Sequence, residues 1–234
     1  MIGLNRFRSH KQGLPDLLPW AALIAPGIVL NKDGSLLAAW KVRGQDTASS
    51  TFDEMSWISG KANDALKMLG NGWLLHLTAN REYDRAYPSE ESSRFPDPVT
   101  QMIDNERRAF FGADFCYSST VVLCLTYKPN FQAAAIARQA QSNLEADILT
   151  ETLEYFQVML SQFEDVLSTV LAMTRLSEHE MQVDREVFIN SELLSHLQMC
   201  VTGETQPIRV PPVPMYLDSM LGYKDLSLDG VTPM

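Results

Sequence analysis

Gly60-Lys61 is the only Gly-Lys pair in the sequence, so it is the first place to look for phosphate chemistry. A phosphate-cradling loop needs a glycine five positions before that pair and a hydroxyl just after it. Backbone amides, an ammonium and a metal-binding hydroxyl then neutralise the phosphates together. Met55 and Ala62 stand at those two positions, so the motif fails at both. Gly70-Asn71-Gly72 begins like a dinucleotide fingerprint, but Leu75 replaces the third glycine, which such a site needs for close helix–strand packing. His179-Glu180 opens like a zinc-protease helix, and Val183 replaces the second histidine ligand. No Gly-x-Ser-x-Gly elbow is present to expose a nucleophilic serine.

Cys116, Cys124 and Cys200 lack CxxC spacing. They support neither a zinc knuckle nor a redox pair, and read as free thiols in a reducing compartment. His10, His76, His179 and His196 show no ligand spacing. Asp104 with Glu106, and Glu164 with Asp165, read as solvated helix faces, because acid–base work also needs a cleft. Arg107 and Arg108 lie near the end of a predicted helix, where cations meet the helix dipole favourably. A partner-binding role is their other reading. No catalytic, cofactor-binding or metal-binding residue is assigned, and no cofactor is expected in this chain.

The elements that must position these residues alternate between strand and helix. Gly27 to Leu30 and Ser35 to Val42 are apolar runs around Asn31-Lys32-Asp33-Gly34, a hairpin signal. Thr51 and Glu54 have capping-box spacing, and Met55, Ile58, Ala62, Leu66 and Leu69 continue the helical period. A strand is predicted over Trp73 to Ala79 and a loop over Tyr83 to Pro96. Asp97-Pro98 then caps a helix whose apolar stripe is Val99, Met102, Ile103 and Phe110. A strand follows from Phe115 to Tyr127.

From Asn143 to Leu171 the apolar residues Leu149, Leu153, Phe156, Leu160, Phe163, Leu167 and Val170 repeat alternately at four and three. That heptad seam belongs to one long helix lying on a sheet or another helix, or else to a self-association surface. A further helix is expected over Val187 to Val201. Pro207, Pro211, Pro212 and Pro214 mark an extended or wrapping arm. The predicted fold is α+β, with a mixed or mostly antiparallel sheet, packed helices and a helical C-terminal half.

The composition is that of a globular protein, 45% hydrophobic and 21% charged. The net charge of −10 is concentrated: residues 141–200 carry 11 acidic side chains against Arg175 and Arg185. An acidic surface repels phosphate backbones, so direct nucleic-acid binding is not expected. The longest apolar stretch, Leu17 to Leu30, is broken by Pro19, Pro26 and Gly27. It is shorter than the roughly 20 apolar residues of a bilayer span. Arg6, Arg8 and Lys11 ahead of Leu17, Leu18 and Trp20 allow peripheral docking on an anionic membrane, against a plain solvated arm.

Several stretches, in order, resemble one known family. They are Gly13-Leu14-Pro15-Asp16-Leu17-Leu18-Pro19-Trp20, Ile28 to Ser35, Leu69 to Trp73, Phe95 to Val99, Ile103 to Arg108, Val121 to Tyr127, Glu192 to Leu197, and Val210-Pro211-Pro212 with Tyr216-Leu217. Together they resemble the N-terminal half of TrbE-type conjugal-transfer proteins, within the CagE/TrbE/VirB ATPases of type IV secretion systems. The resemblance implies a TrbE-like N-terminal domain over residues 1–206, α/β to about 130 and helical from about 131, then a Pro-rich arm over 207–234. It also implies a RecA-like motor, binding ATP and Mg, that is absent from this sequence, so the chain is expected not to hydrolyse ATP. The implied role is docking and assembly at the cytoplasmic face of the bacterial inner membrane, for pilus biogenesis and transfer of DNA or protein. Implied partners are a TrbD-like small inner-membrane protein, other secretion components and further copies of the chain. The candidate partner or oligomer contacts are Arg6, Arg8, Trp20, Leu149, Leu153, Phe156, Leu160, Phe163 and Leu167. A free-standing α/β enzyme or ligand-binding domain with an unrecognised site is the rival reading.

Overall fold

The structure, a computed structural model, describes residues 13–83, 87–93, 95–112, 117–129, 144–183, 186–211 and 216–222, with backbone alone at 83, 144–149, 183 and 186. In chain order the elements are α1 (Leu14–Leu17), β1 (Trp20–Ala25), β2 (Ile28–Asn31), β3 (Leu36–Gly44), α2 (Phe52–Met68), β4 (Trp73–Tyr83), a 3-10 turn (Glu90–Ser92), α3 (Pro98–Gly112), β5 (Tyr117–Tyr127), α4 (Leu144–Leu167), β6 (Leu171–Arg175), β7 (Glu178–Val183), β8 (Glu186–Ser191), α5 (Glu192–Thr202) and α6 (Leu217–Leu221). They form two compact units, residues 1–76 with 123–234, and residues 77–122. The α+β class read from the sequence holds.

In the first unit, the apolar run that could have suggested a membrane segment folds as an antiparallel hairpin, Leu23 opposite Val29. Its turn needs Gly27: φ is +64°, and a Cβ there would meet the Leu176 carbonyl oxygen at 2.6 Å. The Asp33-Gly34 turn forms where its composition predicts. Asp33 Oδ1 accepts bonds from the Ser35 amide (3.1 Å) and hydroxyl (2.6 Å), an Asx-turn that fixes the chain reversal. β3 then pairs antiparallel with β2 near Leu37, and with β6 from Trp40–Arg175 to Gly44–Leu171. The strand order is β1-β2-β3-β5-β4, with β6 on β3.

Leu36 to Trp40 are buried consecutively, so both faces of β3 are covered. α4 covers one face. Its Phe163 ring lies 5.9 Å from Trp40, and its Phe156 stacks 5.7 Å from Trp73 and 6.5 Å from Tyr127. α2 packs beside α4, held at its start by the predicted capping box, in which Glu54 accepts from the Thr51 amide (2.7 Å) and Thr51 from the Glu54 amide (3.3 Å). Side chains alternate along β5, so Cys124 faces away from α4 and meets His196 of α5.

Two expectations about the C-terminal half are corrected. The stretch expected to be helical carries β6, β7 and β8, and the helix expected from Val187 starts at Glu192. Val187, Phe188 and Ile189 are β-formers that pair with Gln182, Met181 and Glu180 of β7. Ser191 Oγ accepts from the Leu194 amide (3.4 Å) and sets the helix start. The Pro-rich tail is not extended throughout. Residues 208–210 bond to β8, with the Val210 amide donating to the Ile189 carbonyl at 2.8 Å. α6 buries Leu217 and Leu221 beside α1, β1 and α5, and its Asp218 pairs with Lys32 at 2.8 Å.

The second unit holds the outer parts of β4 and β5 together with α3. Asp97 caps α3 as its sequence predicts, Oδ2 accepting from the Thr100 amide (2.9 Å) and hydroxyl (3.0 Å). Among the described residues, no helix is long and apolar enough to cross a membrane.

Candidate functional site

The residues with the most chemical potential fall into structural roles. Gly60 and Lys61 lie inside α2, where backbone amides are consumed by the helix ladder and cannot cradle a phosphate. These residues do not fit a nucleotide. His179 Nδ1 sits 3.7 Å from Glu192 Oε1, at the surface. Glu164 pairs with Arg175 at 2.7 Å, tying α4 to β6. Cys124, His196 and Cys200 do converge: the two Sγ atoms lie 3.7 and 3.6 Å from one imidazole nitrogen, Nε2. Burial pushes the Cys124 thiol up to about 12 and lowers the His196 value, so neutral forms are favoured. Burial also raises the Cys200 thiol. Among the described residues, no group of three or more His, Cys, Asp or Glu is placed to hold a metal ion.

The sequence-derived contact residues need a correction. Phe156, Leu160 and Phe163 are fully buried, and Leu167 and Trp20 nearly so. The heptad seam faces this chain's own sheet, so these five residues are core and offer nothing to a partner. Leu153 is half-buried. Leu149 lies on α4 with its side chain outside the described residues, and Arg6 and Arg8 lie outside them altogether.

The surface that is offered outward lies on α3, and it reverses the usual orientation of an amphipathic helix. At about 100° per residue, Val99, Met102, Ile103 and Phe110 fall within about 100° of arc. Gln101, Asp104 and Arg108 share about 60° on the opposite side. The polar side is the one turned inward: Asp104 is buried, and Gln101 and Arg108 are half-buried. The apolar side is exposed, by 58% at Val99, 58% at Met102, 44% at Ile103 and 57% at Phe110.

A hydrogen-bonded clamp holds that orientation. Tyr87 Oη donates to Asp104 Oδ1 at 2.8 Å, and the Arg108 guanidinium pairs with Asp104 Oδ2. Arg108 also donates to the Pro88 carbonyl (3.1 Å) and to Asn105 Oδ1 (2.8 Å). The Tyr87 ring stacks on Phe111 at 5.5 Å. The bond to Asp104 raises the Tyr87 phenol above its ordinary value, so it remains a donor. Sequence reasoning finds the apolar stripe, a pattern that ordinarily marks a buried face. The polar triplet on the other side, at spacings of three and four, was the available signal that it is not one.

Apolar side chains also stay exposed on α2, where Phe52, Met55 and Leu66 fall on one side. Phe52 is 80% exposed. Exposed apolar patches mark places where proteins meet partners, membranes or ligands.

Known proteins are similar to this chain over its whole length. The family described as type IV secretion system ATPase VirB4/TrbE, N-terminal domain, matches residues 27–135. Conjugal transfer protein TrbE of Rhizobium radiobacter is 35% identical over 242 residues, which take in 100% of this chain and 29% of that protein. The first portion of a probable conjugal transfer protein TrbE of Sinorhizobium fredii is 41% identical over 140 residues, 59% of this chain and 94% of that protein. Type IV secretion system protein virB4 of Brucella suis biovar 1 is 20% identical over 231 residues, 92% of this chain and 26% of that protein. This chain therefore spans less than a third of the Rhizobium relative's length.

Proposed function

Starting from the fact that this chain belongs to the VirB4/TrbE family of type IV secretion ATPases, through their N-terminal domain, we propose that it is a docking and assembly domain. It attaches the family's motor to the inner-membrane complex that builds a pilus and transfers DNA or protein. ATP and Mg bind elsewhere in the full-length protein, and this chain does not hydrolyse ATP. The domain takes in residues beyond 206 as well, because residues 208–210 bond to β8 and α6 packs beside α1, β1 and α5. It works at the cytoplasmic face of the inner membrane, and a TrbD-like small membrane protein is among its partners.

The observation that carries this reading is the exposed apolar side of α2, where Phe52, Met55 and Leu66 stand beside solvent in the first unit. A capped helix over a filled core presents them on a fixed backbone, which lowers the entropy lost on binding. The test is co-expression of the chain with a TrbD-like protein, followed by membrane fractionation and pull-down. Phe52→Glu with Leu66→Glu should release the chain from that complex without unfolding it, since neither side chain is core. Retention of the double variant would refute the assigned surface. A purified chain that turns over ATP at a steady rate would refute the non-catalytic reading.

A further inference from the structure

We propose that Cys200 is an oxidative modification site for small-molecule disulfides, with His196 as its base and Cys124 as the second thiol, which closes an internal disulfide. The inference is independent of the docking role assigned to α2. Its first ground is convergence. Cys124 of β5 stands 72 residues before His196 of α5, so no local spacing announces the cluster. The fold sets Cys124 Sγ at 3.7 Å and Cys200 Sγ at 3.6 Å from one nitrogen, His196 Nε2. The two sulfurs are therefore separated by no more than those two distances together. Among the described residues, that imidazole has no other hydrogen-bond partner.

The second ground is access. Cys200 is exposed and Cys124 is buried, so a dissolved reagent reaches Cys200 first and Cys124 reacts from inside. Cys200 lies in the last turn of α5, which ends at Gly203. Helix ends open more readily than helix middles, while the buried Leu193, Leu194 and Leu197 hold the rest of α5 in the core. The terminal turn thus has the freedom to bring the Cys200 sulfur onto Cys124 in disulfide geometry.

The third ground is chemistry. Burial keeps both thiols protonated, so each needs a base before it can attack. Burial also favours the neutral imidazole of His196, the form that accepts a proton. One nitrogen serves both thiols in turn. First, Nε2 takes the Cys200 proton and Cys200 Sγ attacks one sulfur of the reagent. The reagent's S–S bond breaks, and the departing thiolate takes the proton from the imidazolium. Next, Nε2 takes the Cys124 proton and Cys124 Sγ attacks Cys200 Sγ of the mixed disulfide. The second thiolate leaves and takes that proton. Two protein thiols are oxidised to one disulfide, and the reagent disulfide is reduced to two thiols. The product joins β5 to the end of α5. Ser195 of α5 accepts from the Ile208 amide at 3.1 Å, so the bridge also stiffens the seat of the returning chain.

The test is incubation of the whole chain with oxidised glutathione near neutral pH, followed by non-reducing peptide mass spectrometry. The wild type should pass through a glutathione adduct on Cys200 to a Cys124–Cys200 disulfide, and dithiothreitol should reverse it. Cys124→Ser should stop at the adduct. Cys200→Ser, which alters an exposed residue, should leave Cys124 unmodified in the folded chain. His196→Asn should slow bridge formation at least about tenfold. The bridge should raise the Tm by about 5–10 °C, because closing a long loop constrains the unfolded chain. If Cys124→Ser or His196→Asn fails to fold, the wild type and Cys200→Ser decide. A wild type that keeps both thiols free, or stops at the Cys200 adduct, overturns the proposal. So does a bridge through Cys116, a bridge that lowers the Tm, or an unchanged rate in folded His196→Asn.

Discussion

Phe156 separates the two readings of the heptad seam, core or contact surface, more sharply than any other residue. Its side chain is fully buried, stacked 5.7 Å from Trp73 and 6.5 Å from Tyr127. Truncating a buried Phe to Ala costs about 3–5 kcal/mol in lost transfer energy and cavity. Each aromatic pair lost adds about 0.5–1.5 kcal/mol at most. Phe156→Ala should therefore sit in the upper half of that range, about 4 kcal/mol. A chain of this size loses about 2–4 °C of Tm per kcal/mol, so its melting temperature should fall by about 8–16 °C. The assay is thermal and urea unfolding followed by tryptophan fluorescence, which reports directly on Trp73. Val158 lies on the outer side of the same helix at 54% exposure, and Val158→Ala should change stability by less than about 0.5 kcal/mol. If Phe156→Ala melts like the wild type and changes only the oligomeric state, the seam is a contact surface and the assignment of α4 to the core is wrong.

Two further outcomes follow from titratable groups. Asp33 is held at about 2 by its bond to the Ser35 hydroxyl, helped by Lys128 at 3.0 Å. A carboxylate with a lowered folded value stabilises the fold above its unfolded value. Asp33→Asn should thus destabilise at pH 7, by about 0.5 kcal/mol after solvent screening, and its deficit in urea unfolding should shrink between about pH 4 and pH 2; a deficit constant across that range would contradict the assignment. For the cysteines, Cys200 is exposed while Cys124 is buried and pushed up to about 12. Iodoacetamide labelling read by peptide mass spectrometry should therefore modify Cys200 first and reach Cys124 only on unfolding, and equal labelling in the folded chain would contradict the packing of α5 on β5.

The elements whose signals are local were legible in the sequence. Thr51 with Glu54, Asp97 before Pro98 and Asp33-Gly34 each fix a boundary through bonds to neighbouring residues, and each boundary lies where they place it. β7 and β8 were not legible, because the helical spacing of Leu194, Leu197 and Val201 was carried back over Val187 and Ile189, which stand two apart as in a strand. Only pairing with a second strand decides between those periods. The heptad of α4 is legible as a helix. Its partner was open because a four-three spacing describes a buried stripe whatever lies opposite it. Trp40, Trp73 and Tyr127, which do lie opposite, are distant in sequence, and no single-chain periodicity links them to Phe156 or Phe163.

The same ambiguity, resolved the other way, explains α3. A stripe of four large apolar residues normally marks the inner side, since full burial is worth about 1.5–3 kcal/mol per side chain. Here the inner side went to a buried carboxylate, which is tolerable only because Tyr87 and Arg108 both satisfy it. The four apolar residues keep roughly half their surface in water, so covering them retains about 1 kcal/mol each.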